Sequence, residues 1–190
     1  TLESSQPESV DTASAFVPAS SSKAAPVGSA APDAPPDDSA LPPGAVSLFN
    51  GTDLTGWAGL SEYWSVENGA ILGSAPPDSR DPSVSTLTSN TCLVWQGGTV
   101  RDFELTLRYR VAAYDGLSIG GNSGVHYRSR LVDPQNFIVS GYQADIDTEE
   151  RWFGVLWEER GRGYLAKLGE RVVIRPGSTR ARPSIEVVGL

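Results

Sequence analysis

From residue 103 to residue 111 the chain reads Phe-Glu-Leu-Thr-Leu-Arg-Tyr-Arg-Val. Phe103, Leu105, Leu107, Tyr109 and Val111 alternate with Glu104, Thr106, Arg108 and Arg110. Successive side chains on a strand point to opposite faces, so this period of two predicts a half-buried antiparallel strand. Shorter segments with turn signals between them surround it. Residues 45–49 are expected to form a first strand, ended by Asn50-Gly51. Residues 64–67 and 70–72 flank Asn68-Gly69 and read as a tight hairpin. Residues 75–83 hold three prolines and three charged residues and must loop. Further strands are expected at 91–95, 123–128, 138–146, 152–158 and 171–174, with an apolar run at 185–188. No helical periodicity and no repeat interrupts them, so the fold class is all-β, a sandwich of short antiparallel strands.

Residues 1–45 have another texture. They hold eight of the 14 prolines, many alanines and serines, and one aromatic residue, Phe16. Six acidic residues against one lysine give them −5 of the formal net charge of −8. Such a stretch buries too little apolar surface to offset its ordering entropy, and it reads as a disordered linker ahead of a domain at 46–190. The mild acidity and the absence of a basic patch argue against a nucleic-acid partner. No apolar run approaches the ~18 residues of a membrane span. Cys92, the one cysteine, rules out an internal disulfide and lies in the apolar run Cys92-Leu93-Val94-Trp95, where it reads as a small buried hydrophobe. The chain starts at threonine and contains no methionine, which fits a trimmed start. A polar, Pro-rich stalk ahead of a folded domain suggests export, with a lipid anchor upstream as one form of it, to the periplasm, the cell surface or the medium.

Two polar-lined strands carry the candidate chemistry. In residues 121–128, Gly124, His126 and Arg128 share one face and Val125 and Tyr127 the other. In residues 140–147, Gln143, Asp145 and Asp147 oppose Tyr142, Ala144 and Ile146. The chain's one histidine therefore shares a face with an arginine, and pairing of the two strands would add a carboxamide and a carboxylate. The expected arrangement is a curved outer face carrying a groove, with the apolar faces supplying the core.

Several motifs resemble one known family in order. They are Leu48-Phe49-Asn50-Gly51-Thr52-Asp53-Leu54-Thr55-Gly56-Trp57, Trp64-Ser65-Val66-Glu67-Asn68-Gly69-Ala70-Ile71, Asp102-Phe103-Glu104-Leu105, Gly121-Asn122-Ser123-Gly124-Val125, Gly141-Tyr142-Gln143-Ala144-Asp145-Ile146 and residues 156–163. Together they resemble the 3-keto-disaccharide hydrolase domain over about residues 46–175. The resemblance implies a concanavalin-like jelly-roll sandwich, export from a bacterial cell, and action on sugars oxidised at C3. Many family members read Glu-Val-Gln where this chain has Gln143-Ala144-Asp145, which moves the acid by two positions. Such domains also continue through further strands, so a chain ending at Leu190 is expected to lack closing strands and to expose sheet edges.

A C3 ketone acidifies the C2 proton. Its removal, followed by loss of the group on C1 and addition of water, cleaves the glycoside without an oxocarbenium ion, unlike the paired-carboxylate route. That chemistry needs a base and something to hold the enolate oxygen, a role a divalent metal can also fill. His126 and Asp145 are the candidates, each as base or as metal ligand. Arg128 would hold a hydroxyl or the enolate, or instead pair with Asp145. Gln143 would bind a sugar hydroxyl, or be a surface amide. Of Glu158 and Glu159, which fall on opposite faces, Glu159 is the candidate, with Trp157 beside it as a sugar-stacking platform or a core residue. Residues 161–163 read as a turn and not a phosphate nest. No serine has the second histidine that a triad would need. The competing readings are a lectin-like carbohydrate-binding module without turnover, and a stalked domain that binds proteins.

Overall fold

The computed structural model describes residues 12–17, 43–75, 87–111, 121–148 and 152–189. Among them every regular element is a strand, and every pairing is antiparallel. The strands are β1 (Thr12–Val17), β2 (Trp57–Ala58), β3 (Trp64–Glu67), β4 (Ala70–Gly73), β5 (Thr91–Trp95), β6 (Asn122–Asp133), β7 (Ile138–Asp147), β8 (Leu156–Glu159), β9 (Gly163–Ala166), β10 (Arg171–Ile174) and β11 (Ile185–Gly189). Seven of them form one sheet in the order β2-β5-β1-β6-β7-β8-β9, while β3-β4 and β10-β11 are two-stranded. The all-β antiparallel class read from the sequence is the class observed.

Local signals explain much of this. Glu67 and Ala70 pair across Asn68 and Gly69, whose φ angles of 51° and 76° are both positive, as a two-residue hairpin turn requires. β3-β4 lies over the Leu93 side of β5, and Trp64, Ala75, Leu87 and Leu93 are buried together there. The other side of β5 forms a second small core of Cys92, Val94 and Val139, which bears out the buried cysteine.

Four expectations need correction. Residues 45–49 form no strand. The Asn50 side chain instead folds the backbone back by accepting from the Thr52 and Asp53 amides at 2.8 and 2.9 Å, and the Trp57 indole donates to the Leu48 carbonyl at 2.7 Å. Residues 103–111 form no strand either, and Phe103, Leu105, Leu107 and Tyr109 are exposed. Alternation makes a segment fit for a sheet, but pairing needs a neighbour, and the place beside β5 and β6 is taken by β1. Residues 12–17, read as part of the linker, thus run as a central strand; the rest of 1–42 lies outside the described residues, as does the loop expected at 75–83 beyond Ala75. Finally, residues 152–154 turn, and the strand expected at 152–158 is confined to β8.

β6 changes phase partway along. Its register with β7 shifts between Tyr127 and Arg130, and Arg128 adopts a φ of 48°. One extra residue at this bulge turns Arg128 outward and returns Ser129 to the buried face. Gly141 on β7 lies against the bulge with a φ of +152°, and a Cβ there would sit 2.5 Å from Ser129 Cα and 2.8 Å from the Arg128 carbonyl oxygen. Backbone cannot yield to that contact. Gly141→Val is therefore expected to destabilise the fold by about 2 kcal/mol or more, read as a lowered urea midpoint at unchanged slope.

Candidate functional site

The β6–β7 register builds a polar ladder on one face of the sheet. Asn122 pairs with Asp147, Gly124 with Asp145, and His126 with Gln143. β8 extends the face, because Trp157 pairs with Gln143 and Glu159 with Gly141. His126, Gln143, Asp145, Trp157 and Glu159 are thus brought to one face, as their spacing in the sequence implied. Glu158 lies on the other face, beside Tyr142.

Gln143 links the group. Its Nε2 donates to Asp145 Oδ1, two positions along the same strand, while its backbone sits directly opposite His126. Its side chain passes over Gly124, where a Cβ would lie 2.6 Å from Gln143 Cγ and 2.7 Å from Cδ. Glycine at 124 is thus what gives the amide its route to Asp145. At the ends of the ladder, Asn122 Nδ2 donates to Asp147 Oδ2 at 2.9 Å and Trp157 Nε1 donates to Glu159 Oε2 at 3.1 Å.

Burial sets the electrostatics. His126 is 0% exposed, Gln143 3% and Asp145 8%. The imidazole pKa is pulled down to about 4, chiefly by removal from water, against opposing interactions with the Gln143 side chain and the Tyr142 backbone. Burial pushes the Asp145 carboxyl up to about 6; the bond from Gln143 opposes this, and the neighbouring Asp147 and Glu159 charges add to it. At neutral pH the ladder therefore holds a neutral imidazole beside an ionised carboxylate of raised basicity.

Two expectations about this face change. It is not an open groove at its centre: the ladder is buried, while on the opposite face Ala144 is exposed and Tyr142 and Ile146 are half-buried. Among the described residues, the apolar face of β6–β7 has no cover there comparable to the β3-β4 hairpin over Leu93. Arg128 does not join His126. The bulge turns it away, and its Nη2 reaches Asp102 Oδ1 at 3.6 Å and the Arg101 carbonyl oxygen at 3.4 Å.

Asn122 extends the ladder beyond the residues named from sequence, and Asp147, grouped by alternation with Gln143 and Asp145 but given no role, completes it. Their signal was visible, since each lies two positions from a ladder member on its own strand. Arg162 was read only as part of a turn, and it does lie in one, between β8 and β9. Its Nε is 2.5 Å from Glu158 Oε2, its Nη2 donates to Tyr142 Oη at 2.9 Å, and Tyr142 stacks near Tyr127 with centroids 5.8 Å apart. The salt bridge holds Glu158 below the usual carboxylate range. All of this lies on the face opposite His126. A cavity of about 350 Å³ lies beside Trp157, walled by Arg162, Tyr164, Arg180 and Ile185. As for a metal, His126 and Asp145 supply two donors, and no group of three His, Cys, Asp or Glu residues converges among the described residues. The described donors do not make up a ligand set.

A family model described as a 3-keto-alpha-glucoside-1,2-lyase-like domain matches residues 44–184. The chain belongs to this family, and the match supports a carbohydrate-active function. No curated protein and no solved structure matches it. No helix among the described residues is long and apolar enough to cross a membrane.

The pKa values fix a sign that can be tested. Asp145, raised in the fold, contributes stability that is full below its ordinary value of 3.8 and lost as pH rises through about 6. His126, lowered in the fold, contributes stability that is present above 6.5 and lost as pH falls through about 4. Between these limits the two oppose each other. Asp145→Asn is expected to raise the melting temperature relative to wild type more at pH 7.5 than at pH 4; equal offsets at both would contradict a raised Asp145. Gly124→Val should displace Gln143 from Asp145, seen as a shifted Asp145 carboxyl titration by NMR.

Proposed function

We propose that this protein cleaves 3-keto-glycosides by eliminating the group on C1. Asp145 is the base. The supporting observation is a buried carboxyl poised near pH 6 and joined through Gln143 to the position opposite His126. The carboxylate removes the C2 proton, and the C2–H electrons form the enolate with the C3 oxygen. Collapse of the enolate restores the ketone, makes the C1–C2 double bond and expels the C1 oxygen with its aglycone, which takes up a proton. Water can then add across C1–C2 to complete a hydrolysis.

His126 is the second reacting group. Being neutral at pH 7, it can donate an N–H to the C3 oxygen as charge builds there and need not first lose a proton. Gln143 orients both partners, and Trp157 offers an aromatic face for a sugar ring beside Glu159. The Pro-, Ala- and Ser-rich stretch at 1–45 supports action outside the cytoplasm, as an exported or surface-held domain.

Release of aglycone from a 3-keto-disaccharide is the test. Asp145→Asn should lower kcat by about 10²–10⁴-fold, the usual contribution of a positioned base. In the wild type kcat should rise with pH through about 6, as Asp145 ionises. The complete burial of His126 favours one alternative, a carbohydrate-binding module without turnover. That reading takes over if wild type binds the sugar, releases no aglycone, and keeps its affinity in His126→Ala.

A further inference from the structure

The bulge in β6 decides which side chains meet toward the closed end of the β6–β7 hairpin. Ahead of it Gly124 and His126 share the buried face; beyond it Ser129 holds that face and Arg130 turns to the other. Arg130 there pairs directly with Ser140. The β7–β8 register, carried one step past Gly141 and Glu159, sets Ser140 opposite Arg160 in turn. Arg130, Ser140 and Arg160 thus form one row across three neighbouring segments, on the face opposite His126, Gln143 and Asp145. Neighbouring strands lie about 4.8 Å apart, so the two arginine Cα atoms are about 10 Å apart with the hydroxyl between them. Guanidinium groups on such long stems can close on a single ligand. The row opens into a cleft of about 420 Å³, whose other walls are Val132, Asp133 and Ile138.

Charge and backbone conformation set this row apart. Asp133, the carboxylate of the cleft, is held by its own turn. It accepts from the Gln135 and Asn136 amides at 3.0 and 3.2 Å and from Asn136 Nδ2 at 2.7 Å. The Asn136 bonds keep its pKa below the ordinary value, and the charge of Arg160 contributes least to the lowering. The next arginine along the turn, Arg162, is neutralised by Glu158, which also accepts from the Arg162 amide at 2.7 Å. Arg130 and Arg160 are exposed, and among the described residues neither is in a salt bridge with a carboxylate. Arg160 also holds a φ of 53°, in the left-handed region that glycine adopts without strain.

We propose that this cleft binds an acidic sugar unit, a uronate, through its carboxylate, as a site separate from the ladder. A planar carboxylate matches the guanidinium fork, and two forks can share its oxygens. The Ser140 hydroxyl both donates and accepts, which suits a sugar hydroxyl. Val132 and Ile138 offer apolar walls to the C–H surface of a ring, which a bare inorganic anion lacks. Such a site lets the domain hold an acidic glycan while the ladder stays free. The choice of a sugar rests on the carbohydrate-active family and not on the lyase reading; the choice of an anion rests on neither.

Titration of the full chain with D-glucuronate, followed by amide NMR, reads the site without any turnover. The backbone amides of Ser140 and Arg160 should shift to saturation while those of Gln143 and Asp145 stay in place; the reverse pattern overturns the proposal. D-Glucose should bind at least ~10-fold more weakly, since it cannot make the charge-assisted bonds. Added salt should weaken glucuronate binding, because both arginines are exposed. Arg130→Gln and Arg160→Gln should each raise the Kd about 10-fold. Arg160→Gly separates binding from a structural role. It relieves the positive φ, so it should raise the urea midpoint while it weakens glucuronate. Undiminished binding in Arg160→Gly, or inorganic phosphate held as tightly as glucuronate, would overturn the uronate site. Glucuronate bound at this row by a protein that leaves a 3-keto-disaccharide intact would support the site and count against the lyase reading.

Discussion

The pairing of β6 with β7 is the constraint on which the rest of the structure depends. Its register sets Gly124 opposite Asp145 and His126 opposite Gln143. A slip of one residue would send the imidazole and the carboxyl to the other face, because side chains alternate strictly along a strand. Two glycines hold this register where a side chain would prevent it. Gly141 lets β7 approach the bulge of β6, and Gly124 leaves the space that the Gln143 amide crosses on its way to Asp145.

Burial of the ladder then shifts the titration of ordinary polar residues. The same removal from water that lowers the His126 pKa raises that of Asp145, so the two move toward and past each other. At neutral pH the result is a neutral hydrogen-bond donor beside a basic carboxylate, with Gln143 between them. Pairs of groups whose surroundings drive their pKa values apart or across one another are a recurrent means of dividing acid and base roles. The carboxylates of Asp147 and Glu159 reinforce the shift, which couples β8 electrostatically to Asp145 on β7.

Much of the candidate site was legible in the sequence. Alternation alone grouped His126 with Gly124 on one strand, and Gln143 with Asp145 and Asp147 on the next. It also separated Glu159 and Trp157 from Glu158. Arg128 was misplaced because one extra residue reverses alternation, and nothing in the run Tyr127-Arg128-Ser129 marks a bulge. The orientation of the face was also misjudged. A polar face on an isolated strand suggests solvent, whereas in the sheet it is the face that becomes buried.

The sequence by itself determined the class of fold, the hairpin at Asn68-Gly69, the membership of one face and the family, whose model matches residues 44–184. These depend on local dihedral preference and on period-two patterning, which are properties of short segments. Only the tertiary structure decided which strands lie side by side. Residues 103–111 carry the clearest strand pattern in the chain and remain unpaired, while residues 12–17, from a stretch with almost no such pattern, sit at the centre of the sheet. The physical reason is that a strand's hydrogen bonds are made with another segment, so its place is settled by competition across the whole chain and not by its own residues.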